Sequence, residues 1–290
     1  MISFGSWIFK RNCKKADDKR DEGLTTPADI ERFDNIKYGD NEKWQIMDVY
    51  RPKNIGDKKL PVIVSSHGGG WVYGTKETYQ FYCMSLAERG FVVVNYTYRL
   101  APKYKFPSAM EDTNAVYTWI MTNADQYGMD TDHIFAVGDS AGAQIVGLYA
   151  AILTNDKYAA QYDFKAPAEL KLKALGLNCG KYNTTNDTAT GFFKDLLQNK
   201  GTKEELIKIS VVEHITEAFP PSFILTASED FLKNEPVALM EVLKKNNVEH
   251  DYKLYGDEKN PLYHVFHCDV KSQAAKQAND DEIAFFRKYI

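Results

Sequence analysis

The sequence is poor in the patterns that mark several classes of protein. Its four cysteines lie far apart and form no C-x-x-C pair, which argues against a zinc ribbon and a thioredoxin motif. No stretch approaches the roughly 20 consecutive apolar residues of a membrane span. The formal charge is −4 over 290 residues and no basic stripe is present, so nucleic acid is not an expected partner. Neither G-x-G-x-x-G nor a P-loop sequence occurs, so no nucleotide fingerprint is available.

These absences favour a soluble, cytoplasmic protein without a membrane partner. At the N-terminus a short apolar stretch precedes the charged residues, which is the reverse of the order in a secretory signal. We expect Cys13, Cys83, Cys179 and Cys268 to be free thiols in a reducing compartment. Residues 10–23 mix charges of both signs, and we expect them to form a solvated N-terminal segment.

Apolar and amphipathic stretches alternate along the chain. Strands are predicted at 44–52, 60–66, 91–98, 132–138, 170–178, 222–228 and 250–256. Helices are predicted at 76–90, 107–128, 141–154, 234–247 and 280–290. This alternation predicts one α/β domain over residues 1–290, with a mostly parallel central sheet covered by helices on both faces. Residues 181–219 interrupt the alternation and predict a small helical lid over the carboxyl edge of the sheet, with an ordinary crossover and a long loop as the alternative.

The strongest motif is G-D-S-A-G at residues 138–142, which fits G-x-S-x-G between an apolar strand and an Ala/Gly-rich helix. In that context the serine occupies a strained strand-to-helix turn, and the flanking glycines avoid clashes with neighbouring backbone. The turn exposes the hydroxyl at a helix N-terminus, whose dipole favours developing negative charge. Ser140 is therefore the predicted catalytic nucleophile.

A second motif, HGGGW at residues 67–71, follows an apolar strand. A serine that attacks an ester creates a tetrahedral oxyanion, and backbone N–H groups reach it only where no side chain intervenes. We predict that Gly69, Gly70 and Ala141 form this oxyanion hole and that His67 orients the loop through a hydrogen bond. A flexible loop or a phosphate cradle is the alternative interpretation of the glycines.

The nucleophile needs a base, and the base needs a group that orients it. In a G-x-S-x-G fold the acid and then the histidine follow the serine along the chain. His264 follows the last predicted strand by a loop and is the predicted base, with His267 as its competitor. Asp230 follows the strand at 222–228 and is the predicted acid, with Glu229 as the alternative. A simpler interpretation of this acidic pair is a helix N-terminus favoured by the dipole.

Two other chemistries fit the sequence less well. His264, His267 and Asp269 could be taken for a metal cluster, but no H-E-x-x-H motif or second ligand set accompanies them, so no metal is predicted. No serine is followed three residues later by lysine, which excludes the S-x-x-K esterases and β-lactamases.

The chain resembles the hormone-sensitive-lipase-like branch of the α/β-hydrolases, the acetyl esterase and carboxylesterase group. The resemblance rests on HGGGW, YRLAPKYKFPSAMEDTNAVYTWI, GDSAGA, TASEDFL and YHVF, and it covers roughly residues 35–290. In that family the triad consists of the serine of G-D-S-A-G, the aspartate before a hydrophobic–Leu pair and the histidine of H-G-F. These positions fall on Ser140, Asp230 and His264. The resemblance implies the α/β-hydrolase fold.

The sequence departs from the family pattern in three places. Val265 stands where the family histidine is usually followed by glycine, and Ala143 replaces a frequent second glycine after the nucleophile. Residues 1–30 are short for a complete family cap, so we expect less of the acyl pocket to come from them.

The resemblance implies a serine esterase that uses no cofactor and acts on short acyl chains, acetyl to butyryl, with acetylated sugars as a candidate substrate. Trp71, Tyr73 and Tyr182 are the predicted lining of a pocket for a ring-shaped alcohol. An amidase or peptidase with the same triad is one alternative. Another is a non-catalytic small-molecule binding protein, since gibberellin receptors resemble this family and have lost the histidine. An exposed last strand and C-terminal helix would support a homodimer.

Overall fold

An eight-stranded sheet forms the centre of the computed structural model, which describes residues 3–188 and 191–290. The strands are β1 (Ile30–Lys37), β2 (Ile46–Pro52), β3 (Leu60–Ser66), β4 (Val92–Tyr96), β5 (Met129–Asp139), β6 (Leu172–Asn178), β7 (Ser222–Ala227) and β8 (His250–Tyr255). Their order across the sheet is β1-β2-β4-β3-β5-β6-β7-β8. The β1–β2 and β2–β4 pairs are antiparallel and the remaining pairs are parallel. The predicted mostly parallel sheet is confirmed.

Helices cover both faces of this sheet. They are α1 (Phe4–Asp21), α2 (Lys76–Ala87), α3 (Ser108–Tyr127), α4 (Ala141–Thr154), α5 (Asp156–Ala159), α6 (Phe192–Leu196), α7 (Lys203–Lys208), α8 (Glu235–Lys245) and α9 (Gln273–Phe286). Apolar side chains of α3, α4 and α8 belong to the core on one face, and those of α2 and α9 to the core on the other. Among the described helices, none combines the length and the apolar character that crossing a bilayer requires.

The central strands contain continuous apolar runs because both faces of the sheet are buried there. In β3, Val62 and Val64 belong to one core and Ile63 to the other, as the alternation of side chains along a strand requires. β4 and β5 follow the same pattern. This explains why continuous apolar runs were sufficient to predict these strands.

Two N-terminal elements were not predicted from the sequence. Residues 10–23, expected to be a solvated segment, largely belong to the long helix α1, whose charged residues are mostly exposed while Ser6 is buried. β1 extends the sheet beyond β2 and contains an irregularity between Phe33 and Ile36, which obscures the alternation of a regular strand. At the other end of the chain, α9 begins at Gln273, well before the predicted start at 280.

The range predicted as a lid, 181–219, connects β6 to β7 and contains α6, α7 and a 3₁₀ turn; its residues 189–190 lie outside the described part of the chain. This segment meets α1. The backbone N–H of Ser3 donates to the Asp195 carboxylate at 3.2 Å, and the rings of Phe9 and Phe192 pack edge to face with centroids 4.9 Å apart. We refer to α1 together with residues 181–188 and 191–219 as the cover.

Candidate active site

Ser140 is the single residue between β5 and α4. Its φ of 53° and ψ of −117° are strained for a residue with a side chain, as is common at functional sites. A Cβ on Gly142 would stand 2.0 Å from the carbonyl oxygen of Ser66, and a Cβ on Gly138 would stand 2.5 Å from the Gly142 backbone. There is therefore no room for a side chain two residues before or two residues after the serine, which accounts for both glycines of the motif.

His264 and Asp230 lie in loops that follow β8 and β7, and the fold brings them together. Nδ1 of His264 donates to Oδ1 of Asp230 at 2.8 Å. The carboxylate also accepts the N–H of Leu232 at 2.8 Å and the hydroxyl of Thr226 at 3.1 Å. Burial alone would raise the pKa of Asp230, but the hydrogen bond and charge of His264 outweigh it, so the pKa lies below its ordinary value. Asp230 is thus an ionised group that fixes the His264 ring.

The two competing residues lie elsewhere. Glu229 is exposed, whereas Asp230 is only 2% exposed. His267 is fully buried, and burial lowers the pKa of this histidine to about 3. It lines neither of the cavities that open on Ser140. The geometry therefore favours the pair of Asp230 and His264 that the sequence predicts.

The two glycines of the predicted oxyanion hole have backbone conformations that favour glycine, and at Gly69 another backbone segment lies close by. Gly69 has a φ of 117° and Gly70 a φ of 58°, both in the region that favours glycine. A Cβ on Gly69 would stand 2.2 Å from the carbonyl oxygen of Tyr73. Gly69 lines the smaller of the two cavities at Ser140, and Gly70 and Ala141 line the larger one. All three backbones therefore border the space around the serine.

His67 lies beneath this glycine loop. Its Nδ1 donates to the carbonyl of Gly68 at 2.7 Å, and its ring stacks on Tyr98 with centroids 4.1 Å apart. The hydroxyl of Tyr98 in turn donates to the His67 carbonyl at 2.8 Å. Burial lowers the pKa of His67 to about 4, so the ring is neutral near pH 7. These contacts fit the orienting role predicted for His67, which lines neither cavity.

Two cavities open on Ser140. The larger, of about 440 Å³, is mainly apolar and includes Phe9, Trp71, Phe192, Phe193, Phe231 and Leu232 in its lining. The smaller, of about 240 Å³, is lined by Phe9, Cys13, Ala16, Asp17, Gly68, Gly69, Tyr73, Tyr79, Asp139, Phe231, His264 and Val265 in addition to the serine. Ser140 and His264 share the smaller cavity, although no hydrogen bond joins their side chains among the described residues. Phe9 and Phe231, like Ser140, border both cavities.

The predicted pocket aromatics are only partly brought to the site. Trp71 lines the larger cavity and packs against Phe193, with ring centroids 5.6 Å apart. Tyr73 lines the smaller cavity and donates its hydroxyl to Asp17 at 2.8 Å. Tyr182 lies fully buried in the hydrophobic core, with its ring packed against the backbone of Gly180, and it lines neither cavity. We therefore leave it out of the candidate site.

Sequence reasoning missed several lining residues. Phe231 directly follows the predicted acid, and that adjacency was a usable signal; its ring centroid lies 4.2 Å from that of His264. Phe9 and Phe192 carried no local signal, because they reach the site only through the contact of α1 with α6. The expectation that less of the acyl pocket comes from residues 1–30 stays a prediction; α1 supplies Phe9 to the larger cavity, and Phe9, Cys13, Ala16 and Asp17 to the smaller one.

Asp139 connects the turn around Ser140 to its surroundings. It is buried and accepts the hydroxyl of Tyr79 at 2.6 Å. A Cβ on Gly68 would stand 2.6 Å from its Oδ2, so the carboxylate also explains the first glycine of the loop. Burial raises the pKa of Asp139 to about 6, against the opposing effect of the Tyr79 hydrogen bond.

Several relatives of the chain are named for ester hydrolysis. A family model described as an alpha/beta hydrolase fold matches residues 63–267. Esterase LipC of Mycobacterium tuberculosis is 28% identical over 209 residues, which cover 67% of this chain and 50% of that protein. Versiconal hemiacetal acetate esterase of Dothistroma septosporum is 28% identical over 212 residues, covering 67% of this chain and 64% of that protein. Ethyl acetate hydrolase of Pseudomonas putida is 38% identical over 102 residues, covering 35% and 30%. The chain thus spans about half to two thirds of the length of the first two relatives.

Solved structures share the fold over nearly the whole chain. Esterase B from Lactobacillus rhamnosis, in an inhibited form, superposes with a TM-score of 0.89 at 21% identity, covering 98% of this chain and 95% of that one. The Pyrobaculum calidifontis esterase superposes with a TM-score of 0.77 at 23% identity, covering 98% and 92%. At such low identity these likenesses establish the architecture and leave the reaction to be argued from the site.

Proposed function

This chain belongs to the α/β-hydrolase family, and we propose that it is a serine esterase that hydrolyses short-chain carboxylic esters through an acyl-enzyme. One observation carries the proposal. Ser140, on its strained turn, borders the same cavity as His264, whose ring is fixed by the buried carboxylate of Asp230. Nucleophile, base and orienting acid in this order along the chain are the parts that the reaction requires. The proposed reaction uses only these side chains, backbone N–H groups and water.

In the proposed reaction the Oγ of Ser140 attacks the ester carbonyl. Because Nδ1 of His264 donates to Asp230, its Nε2 holds the lone pair that accepts the serine proton. As the ester C–O bond breaks, Nε2 returns this proton to the leaving alcohol. Water then attacks the acyl-enzyme with His264 again as base, which releases the acid and restores Ser140. Asp230 remains ionised throughout and stabilises the imidazolium.

The tetrahedral intermediates need donors for their oxyanion. We assign this role to the backbone N–H groups of Gly69, Gly70 and Ala141, which border the cavities at the serine. Preorganised donors of this kind act on charge that develops only in the transition state, and the loss of one typically costs about 10²–10³ in kcat. Gly69 and Gly70 have positive φ values, which give the loop its shape. A residue with a side chain would be strained in this conformation.

The two cavities suggest how an ester lies across the serine. His264 must reach the leaving oxygen, so we assign the smaller cavity to the alcohol and the larger, apolar cavity to the acyl group. Two of the relatives are named for acetate esters, which supports short acyl groups. On the alcohol side, the Tyr73 hydroxyl and the Asp17 carboxylate are groups that can hydrogen-bond to the hydroxyls of a sugar. Acetylated sugars are therefore the natural substrates that we propose.

The experiment is a comparison of p-nitrophenyl acetate, butyrate and octanoate with wild type, Ser140→Ala and His264→Ala. We expect the wild type to favour acetate or butyrate, and each variant to lose about 10³ or more in kcat/KM. Circular dichroism establishes that all three proteins are folded, and p-nitroacetanilide tests for amide hydrolysis. A folded wild type that cleaves none of the three esters, or variants that keep its rate, would contradict the proposal.

A further inference from the structure

The outer side of α1 carries exposed apolar side chains, whereas the side of a helix that faces water is usually polar. Phe4, Trp7 and Ile8 are 76%, 50% and 39% exposed. Their i, i+3, i+4 spacing places them next to one another on the outer side of the helix. Phe9 projects in a different direction, into the cavities at Ser140, so the outer side is not part of the candidate active site.

Basic residues lie further along the same side of α1. Arg11 and Lys15 follow Phe4 at i+7 and i+11 and are exposed. Between Ser3 and Ala16 the chain has four basic and no acidic residues, although its net charge is −4. Lys14 is paired with Asp18 at 2.8 Å, whereas no salt bridge engages Arg11 or Lys15 within the described residues.

An open groove of about 630 Å³ runs along this side of α1. Its lining comprises Trp7, the four cations Lys10, Arg11, Lys14 and Lys15, the exposed Asp18 and the half-buried Tyr73. An aromatic ring among cations is suited to a ligand with an apolar part and negative charge. Aromatic side chains at one end and cations along the polar side are also features of helices that lie in the membrane interface.

We propose that α1 is an interfacial helix that binds the protein to an anionic lipid surface. Phe4, Trp7 and Ile8 would enter the boundary between headgroups and acyl chains, and the exposed cations Arg11 and Lys15 would contact anionic headgroups. A second copy of the chain fits this face less well, because two such faces would bring like charges together. This proposal departs from the sequence-based expectation of no membrane partner, which rested on the absence of a stretch long and apolar enough to cross a bilayer.

The location of α1 gives this binding a consequence. Its inner side supplies Phe9, which borders both cavities at Ser140, while its outer side would contact lipid. The site would thereby be held close to the membrane surface. The lipid-binding proposal does not depend on the esterase proposal, because vesicle binding is measured without any hydrolysis.

The test is co-sedimentation of the full chain with phosphatidylcholine vesicles, with and without about one third phosphatidylglycerol. We expect binding to the anionic vesicles, and a partition coefficient lower by about tenfold or more for Trp7→Ser and for the double variant Arg11→Glu/Lys15→Glu. Leu254→Ser is the matched control, since Leu254 is 54% exposed on β8, and it should bind like the wild type. Hydrolysis of p-nitrophenyl acetate free in solution should be the same for all four proteins.

Three outcomes would overturn the proposal. The first is a wild type that stays in the supernatant with anionic vesicles. The second is binding that both α1 variants retain in full. The third is a dimer, detected by light scattering without lipid, that Trp7→Ser dissociates, because the apolar side would then be occupied by a second copy.

Discussion

The turn around Ser140 and the cover above it are held in place by different kinds of interaction. At the turn, a Cβ on Gly142 would stand 2.0 Å from backbone, so the geometry is fixed by steric exclusion between neighbouring chain segments. The cover is held by side-chain contacts such as that of Ser3 with Asp195, which are far apart in sequence. Under the proposed function, the turn would determine whether the chemistry occurs, and the cover would determine which esters reach it.

The largest effect is expected at the acid that orients the base. Asp230→Asn should lower kcat by roughly 10⁴ while the protein stays folded, because an amide no longer fixes the productive tautomer of His264. Glu229→Gln is the matched control, since Glu229 is the exposed neighbour, and its kcat should be that of the wild type. Steady-state kinetics on p-nitrophenyl acetate measure both. If Glu229→Gln were the impaired variant, the assignment of the acid would be reversed.

A second prediction compares a glycine of the turn with a glycine of the cover. Gly142→Ala should lower the free energy of unfolding by about 3 kcal/mol or abolish folding, because the new methyl group meets the Ser66 carbonyl. Gly5→Ala in α1 meets no atom within 4 Å and should be neutral or stabilising by up to about 1 kcal/mol. Urea denaturation measures both values. Equal stability of the two variants would show that the turn tolerates a side chain.

In the cover, we expect selectivity to change more than rate. Phe9→Ala removes a ring that borders both cavities and so enlarges the space at Ser140, and kcat/KM for octanoate relative to acetate should rise by about tenfold. Phe4→Ala is a control on the same helix, because Phe4 is 76% exposed and lines neither cavity. An unchanged ratio for Phe9→Ala would show that Phe9 of the cover does not control selectivity for acyl length.

A further effect is a pH dependence of stability at the turn. The pKa of Asp139 is about 6 in the folded protein and near 4 when unfolded, so the native state binds its proton more tightly. Wild-type stability should therefore fall as pH rises from about 4 to 6, and Asp139→Asn should lack that part of the fall. Glu282, whose pKa burial raises to about 7, contributes in both proteins and extends the fall to higher pH. The urea midpoint of the wild type should fall more steeply with pH over this range than that of Asp139→Asn. Parallel curves for the two proteins would contradict the raised pKa of Asp139.

The features that could be predicted from the sequence belong mainly to the central sheet and the turn around Ser140, and the features that could not be predicted belong mainly to the cover. β3 and α4 begin and end at the predicted residues. Each is an apolar run bounded by turn residues, and such a run fits few other assignments of secondary structure. Ser140, Asp230 and His264 could be proposed from short motifs and chain order. In contrast, α1 was taken for a solvated segment, since its many charges hide the few residues that face inward. The burial of Tyr182 likewise depends on packing that no local pattern specifies.

The assignment of Ser140 as the nucleophile is tested most directly by covalent labelling. The wild type is incubated with a p-nitrophenyl alkylphosphonate, residual hydrolysis is measured, and the digested protein is examined by mass spectrometry. We predict a single adduct on Ser140, formed in proportion to the loss of activity and absent from Ser140→Ala. Complete inactivation with the adduct on another residue, or with Ser140 unmodified, would contradict the assignment.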